Sequence, residues 1–238
     1  METGTPGKLL GSGRTADVYE IEAEGTGDGA WVLRRYRDRY GDAAAEAEVM
    51  EHVRGHGYPA PRVREATRSD LVMERLTGPT MLEAFAAGRL GPAEAGALLA
   101  RLLRDLHAVP ARGSADPAVR VLHLDLHPEN VILTSDGPKV IDWNTAEEGP
   151  PGLDWGMSAV IVAQVAVGGL TGFESRAEMA RTMLAALLTD QEAPSAMTEE
   201  GLVEALRRRA ANPTMSPSEV EALGAAGELI RTLRTPRT

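Results

Sequence analysis

The apolar pattern of this chain changes character once, near residue 77, and that change narrows the folds open to it. Before it, apolar residues come in short β-rich runs: KLLGSGRTADVYEIEAE (8–24), AWVLRRYR (30–37), PAPRVREAT (59–67) and DLVMERL (70–76). Such runs read as strands, and EGTGDG (24–29) reads as a hairpin-type loop. One early segment differs. GDAAAEAEVMEHVRGHG (41–57) consists of good helix formers and closes in glycines, so it predicts a helix. Pro59 and Pro61 stop that helix from continuing.

After TGPT (77–80) helical periodicity takes over. GPAEAGALLARLLRDLHAVP (91–110) places Pro92 at a helix start and Leu98, Leu99, Leu102, Leu103 and Leu106 on one face. From Asp154 onward only helices are expected, over 154–168, 174–189, 198–211 and 217–233. Two short apolar runs, VIL (131–133) and KVID (139–142), flank TSDG and predict one small hairpin. The expected class is α+β: a β-rich N-terminal lobe with one helix, then a mostly helical lobe interrupted by a hairpin.

Length and charge limit the function classes. A chain of 238 residues is long enough for one large domain or two lobes with a real core. Its net charge of −10 argues against nucleic acid or an anionic membrane as the main partner and suits a cationic small molecule. With no cysteine, disulfides and thiolate zinc sites are excluded. METGTPGKLL shows no apolar signal-peptide core. The longest apolar run, MSAVIVAQVAVGGL, is broken by Gln164 and reads as a buried core helix rather than a membrane span. A cytoplasmic protein is expected.

The chemistry-bearing residues concentrate in VLHLDLHPENVIL (121–133). A metal cage, a solvated turn and a phosphoryl-transfer loop all share this composition. Asp125 and Asn130 precede the predicted hairpin and Asp142 ends its second run, so folding the hairpin can gather three oxygen-bearing side chains at one edge. Hard oxygen ligands suit Mg²⁺ better than zinc. His123 and His127 are spaced i, i+4, but Pro128 argues against a helix there, so the spacing carries no metal geometry. His123 is better placed to brace the loop backbone. Upstream, Gly11, Ser12 and Gly13 form a turn whose backbone N–H groups can approach phosphates, with Val18 beyond it; a plain turn has the same composition. No Walker P-loop follows. Arg34 lies on a strand and Glu46 in the helix twelve residues on, a spacing open to an ion pair or to two surface charges. Glu74 and Leu76 lie where a strand runs into the connector, which can offer backbone groups to an adenine edge or serve as a plain linker.

Taken in order, HLDLHPENVIL, VIDWNTAEEGPPGLDWGMSA and the glycine turn resemble the aminoglycoside phosphotransferase and choline kinase-type family of small-molecule kinases, over nearly the whole chain. The resemblance implies a protein-kinase-like bilobal fold, with a nucleotide-binding lobe over 1–76 and a helical lobe over 77–238 carrying the catalytic loop and acceptor site. It implies ATP and Mg²⁺ as cofactors and a small-molecule hydroxyl as acceptor, an amino sugar among the candidates. It makes Asp125 the catalytic aspartate, and Asn130 and Asp142 the Mg²⁺ ligands. Arg34 takes the place of the strand lysine with Glu46 as its helix partner, Glu48 being the neighbouring candidate. Gly11, Ser12 and Gly13 cover the phosphates, Val18 packs on adenine, and Glu74 and Leu76 offer it backbone groups. Asp154 becomes a structural aspartate supporting the catalytic loop. Glu147, Glu148, Glu174 and Glu178 are acidic candidates for facing an amine, or ordinary solvated charge. The arginine at 34 leaves a second reading open, a catalytically silent kinase-like nucleotide-binding or regulatory module.

Overall fold

The computed structural model describes residues 6–13, 15–21, 30–37, 41–168, 174–189, 197–213 and 215–234. The chain divides into two compact units, one of Met1–Gly78 with Ile132–Ala146 and one of Pro79–Val131 with Glu147–Thr238.

The first unit is built on strands β1 (Leu9–Ser12), β2 (Ala16–Glu20), β3 (Trp31–Tyr36), β4 (Val63–Ala66) and β5 (Asp70–Glu74). They form an antiparallel sheet in the order β1-β2-β3-β5-β4. The expected loop at 24–29 lies outside the described residues. Central β3 is flanked on both sides, and WVLRRY is accordingly buried at every position but Arg35. Trp31, Leu33 and Val72 form one apolar cluster with Tyr19 and Ile21 against it. Helix α1 (Ala43–Gly55) starts where the Asp42 side chain accepts the Ala45 N–H. It buries Ala43, Ala47, Val49, Met50 and Val53, and among them the carboxylate of Glu46.

The predicted hairpin exists as β7 (Val131–Thr134) and β8 (Gly137–Val140). From Ile132 on it clusters with the sheet rather than with the helices that flank it in sequence. The reason is local. The Val140 N–H donates to the Pro59 carbonyl at 2.8 Å. Trp143, 1% exposed, packs edge-on to Tyr58 with ring centres 5.6 Å apart. Asp142 is thereby tied to the sheet unit.

The second unit holds α2 (Met81–Ala86), α3 (Pro92–His107), α4 (Pro151–Val167), α5 (Glu174–Thr189), α6 (Glu199–Ala210) and α7 (Pro217–Arg234). Strand β6 (Arg120–Leu122) pairs with β9 (Glu147–Gly149), and a 3₁₀ turn spans Pro128–Asn130. The predicted leucine face of α3 is buried. Helix α4, the former apolar run, is buried along most of its length, and no described helix is long and apolar enough to cross a membrane. Its contacts are backbone-close: a Cβ at Gly201 on α6 would lie 2.4 Å from the Gly152 backbone of α4. Sequence periodicity does not announce α2, β6 or β9. Helix α2 is signalled only by its capping box, in which Thr80 and Glu83 satisfy each other's backbone N–H.

Candidate active site

In the first unit, Arg34, Glu46 and Asp142 meet. The Arg34 Nη1 donates to Glu46 Oε1 at 2.5 Å and Nη2 donates to Asp142 Oδ1 at 2.6 Å. Of the two acids proposed for this strand cation, Glu46 is the partner, while Glu48 is exposed on α1. Glu46 also accepts the Tyr36 hydroxyl at 2.6 Å and the Trp143 N–H at 3.1 Å. Burial pushes the Glu46 carboxyl up, and the Arg34 charge, the Tyr36 hydroxyl and the Trp143 N–H oppose that. Burial works against the Arg34 cation, yet the Glu46 and Asp142 charges leave it raised. The guanidinium therefore stays charged in a site only 7% exposed. Asp142 adopts φ 66°, a left-handed conformation open to aspartate.

The glycine turn occupies β1 and the residue after it. Gly11 faces Val18 across the β1–β2 pair, and the Gly13 N–H donates to the Ala16 carbonyl at 2.9 Å. The Ser12 hydroxyl accepts from the Arg37 guanidinium, which also grips Asp17. That grip, with the Ser12 bond, lowers the Asp17 carboxyl to about 2. Glu74 ends β5. Its N–H donates to the Arg62 carbonyl at 2.8 Å and its carboxylate accepts the Arg62 N–H at 3.0 Å. Its N–H is thus committed within the sheet. Leu76 is half-buried just past the strand.

In the second unit, Asp125 and Asn130 meet. The Asn130 Nδ2 donates to the Asp125 carbonyl at 2.8 Å and to its Oδ2 at 3.1 Å. These bonds orient the amide through its nitrogen. Burial raises the Asp125 carboxyl, but His127 beside it, with His123 and Arg209 adding positive charge, leaves it below the usual carboxylate range. His127 Nε2 lies 3.6 Å from Asp125 Oδ2 while its Nδ1 accepts the Glu129 N–H at 3.4 Å. His123 does brace the loop: its Nδ1 accepts the Asp125 N–H at 3.2 Å.

Asp154 underlies this loop and is fully buried. Its Oδ1 accepts the Leu124 N–H at 2.7 Å and its Oδ2 the His123 N–H at 2.9 Å. His107 Nε2 donates to Oδ2 at 3.0 Å. The two successive N–H groups converge because Leu124 takes φ 62°, a conformation costly for leucine that the carboxylate offsets. Burial raises the Asp154 carboxyl, but His107 and the loop N–H groups hold it down. His107 and Tyr36 escape sequence reading. Neither stands in a motif, and only tertiary contact gives each an acid to serve.

Of the acidic candidates for an amine, Glu147 and Glu148 carry bonds of their own. Glu147 pairs with Arg208 at 2.8 Å, and Glu148 accepts the Arg112 N–H at 2.6 Å and the Gly113 N–H at 3.0 Å. Glu178 is exposed on α5, and the Glu174 side chain lies outside the described residues. Asn130 in the second unit and Asp142 in the first each carry a hard oxygen donor, an amide oxygen and a carboxylate, of the kind Mg²⁺ takes alongside substrate phosphates. Among the described residues no group of three His, Asp or Glu side chains forms an all-protein metal cage.

The family model described as the phosphotransferase enzyme family (APH) matches residues 6–118 and 112–199. The chain belongs to that family. No curated protein matches it by sequence. Among solved structures, this phosphotransferase is similar to the amicoumacin kinase hAmiN in complex with AMP-PNP, Ca²⁺ and Ami, at 15% identity and a TM-score of 0.53, covering 97% of this chain and 90% of that one. It is also similar to an apo thermostable mutant of the aminoglycoside phosphotransferase APH(4)-Ia, at 14% identity and a TM-score of 0.51, covering 94% of each chain. At these identities the likeness establishes the α+β kinase-like fold, as the sequence pattern predicts.

Proposed function

We propose that this phosphotransferase is an ATP- and Mg²⁺-dependent kinase that phosphorylates a hydroxyl group of a small molecule. What carries the proposal is the Asp125 loop: an aspartate kept ionised in a largely buried place, fixed by Asn130 and backed by the buried Asp154. Asp125 orients the acceptor hydroxyl and takes its proton as the oxygen bonds to the γ-phosphorus and the bond to the ADP oxygen breaks. In-line transfer of this kind depends on positioning and charge neutralisation more than on proton abstraction. Asn130 and Asp142 are the metal ligands, and Mg²⁺ when bound neutralises phosphate charge. Arg34, anchored by Glu46, binds the ATP phosphates, with the Gly11–Ser12–Gly13 backbone covering them. Val18 packs on adenine, and the Glu74 carbonyl and Leu76 backbone meet its edge. The AMP-PNP and Ca²⁺ in the amicoumacin kinase structure support a nucleotide and a divalent cation for this fold.

One observation favours a second reading, a catalytically silent nucleotide-binding module. Arg34 already holds one oxygen of Asp142. Calorimetry of ATP binding with and without Mg²⁺, on the wild type and on Asp142→Ala, with ADP formation over a panel of small hydroxyl compounds, separates the two. Mg²⁺-dependent binding lost in Asp142→Ala, together with acceptor-stimulated ADP formation, supports the kinase. Binding without turnover on any acceptor supports the silent module.

A further inference from the structure

We propose that Tyr36 is a positioning residue for nucleotide binding. It holds Glu46 and the plane of Arg34 together, and so equips this chain to use arginine where the resemblance implies a lysine. The proposal rests on the kinase reading above. Arg34 and Tyr36 are two apart on β3, so their side chains leave the same face of the sheet. Arg34, Tyr36 and Glu46 are 7%, 6% and 3% exposed. Tyr36 touches both members of the ion pair. Its hydroxyl donates to Glu46 Oε2 at 2.6 Å, and the Arg34 guanidinium carbon lies 5.1 Å from its ring centre. The ring lies in the space that a side chain at position 41 would fill, since a Cβ at Gly41 would stand 2.0 Å from it.

The need for such a residue follows from guanidinium chemistry. A lysine ammonium is a compact point charge that can face two acids in many orientations, whereas a guanidinium is a planar fork whose bonds depend on its plane. Here one arm of the fork goes to Glu46 Oε1 and the other to Asp142. Glu46 Oε1 takes Arg34 and the Trp143 N–H, while Oε2 takes the Tyr36 hydroxyl. Burial and the adjacent Glu46 charge push the Tyr36 phenol up, so it stays a donor. Without that hydroxyl the carboxylate is held through Oε1 alone, the Nη1 bond loses its aim, and the guanidinium turns toward Asp142, away from the orientation that receives phosphate.

The test is MgATP binding by calorimetry, with KM and kcat for basal ATP hydrolysis, on wild type, Tyr36→Phe, Arg34→Lys and the double variant. Tyr36→Phe is expected to raise the Kd and KM for MgATP about tenfold, the loss of one hydrogen bond to a charged group, with kcat changed less than about threefold. In the Arg34→Lys background the same change is expected to alter Kd by less than about twofold, because no guanidinium plane remains to be held. Equal losses in both backgrounds would show a merely structural tyrosine and overturn the proposal, as would an unchanged Kd in Tyr36→Phe. Should Tyr36→Phe not fold, Glu46→Gln and Tyr36→Trp give the second comparison. Each is expected to raise the Kd for MgATP, and unaltered binding in both overturns the proposal. A wild type that binds no MgATP overturns the kinase reading itself, and that result needs no variant to recognise.

Discussion

Asp125 in the loop is half-buried and Asp154 on α4 beneath it is fully buried, and their partners prepare the two carboxylates for different work. Asp125 keeps a side-chain contact to Asn130 and a histidine neighbour, and its side chain is 26% exposed. Asp125→Asn should retain MgATP affinity and lose about 10²–10⁴ in kcat, the range of a general base; single-turnover kinetics checks it, and undiminished turnover removes Asp125 from that role. Asp154 is saturated by three donors and has no such exposure. Replacing it with asparagine turns an NH₂ group toward an N–H donor inside a sealed site. Asp154→Asn should cost roughly 3 kcal/mol at pH 7, read as a fall in Tm of about 6–12 °C. The sign of its pH dependence follows from the lowered carboxyl. A carboxyl held below its unfolded value of about 3.9 stabilises the fold above that pH, and the stabilisation disappears as pH falls through the folded value. The Tm gap between wild type and Asp154→Asn should therefore narrow below about pH 4.

Helices α4 and α6 approach so closely that glycine is required on both. A Cβ at Gly201 meets the Gly152 backbone at 2.4 Å, and one at Gly156 meets the Gly201 carbonyl oxygen at 2.8 Å. Backbone cannot yield as a flexible side chain does, so Gly201→Ala should destabilise by about 1–3 kcal/mol or more in chemical denaturation. Gly224 on α7 is the contrasting case, exposed and with nothing near its would-be Cβ. There Gly224→Ala should stabilise by about 0.5–1 kcal/mol, since only helix propensity changes. The same substitution thus carries opposite signs on two helices, and the spacing of neighbouring backbone decides which.

Nucleotide binding should register across the entire chain as thermal protection. At MgATP about a hundredfold over Kd, linkage supplies about 2.7 kcal/mol, a Tm rise of roughly 5–10 °C. The rise should require Mg²⁺ and vanish in Asp142→Ala; a Mg²⁺-independent rise would remove Asp142 from the metal role. The unit carrying Asp142 is assembled from two separate stretches, Met1–Gly78 and Ile132–Ala146. The second stretch is held by the Val140 bond to Pro59 and by Trp143 against Tyr58, so Trp143→Ala should cost about 3–5 kcal/mol and lower MgATP affinity together, a joint loss that calorimetry and thermal melts can separate from folding failure alone.

Periodicity, glycine and proline placement and the loop motif were enough to determine the order of the elements other than α2, β6 and β9, the leucine face of α3, the buried character of α4, the hairpin, and the residue types of the candidate site. These are local properties, set by side-chain spacing along one stretch of chain. Only the tertiary structure decided that Glu46 rather than Glu48 meets Arg34, that Tyr36 completes that pair, and that His107 joins Asp154. It also decided that Glu147 and Glu148 are spent on Arg208 and on the Arg112 and Gly113 backbone. Each of these is a choice among polar groups distant in sequence, made by which of them are buried together. Burial makes an unpartnered charge too costly to keep, and no spacing within a single segment encodes where that burial occurs.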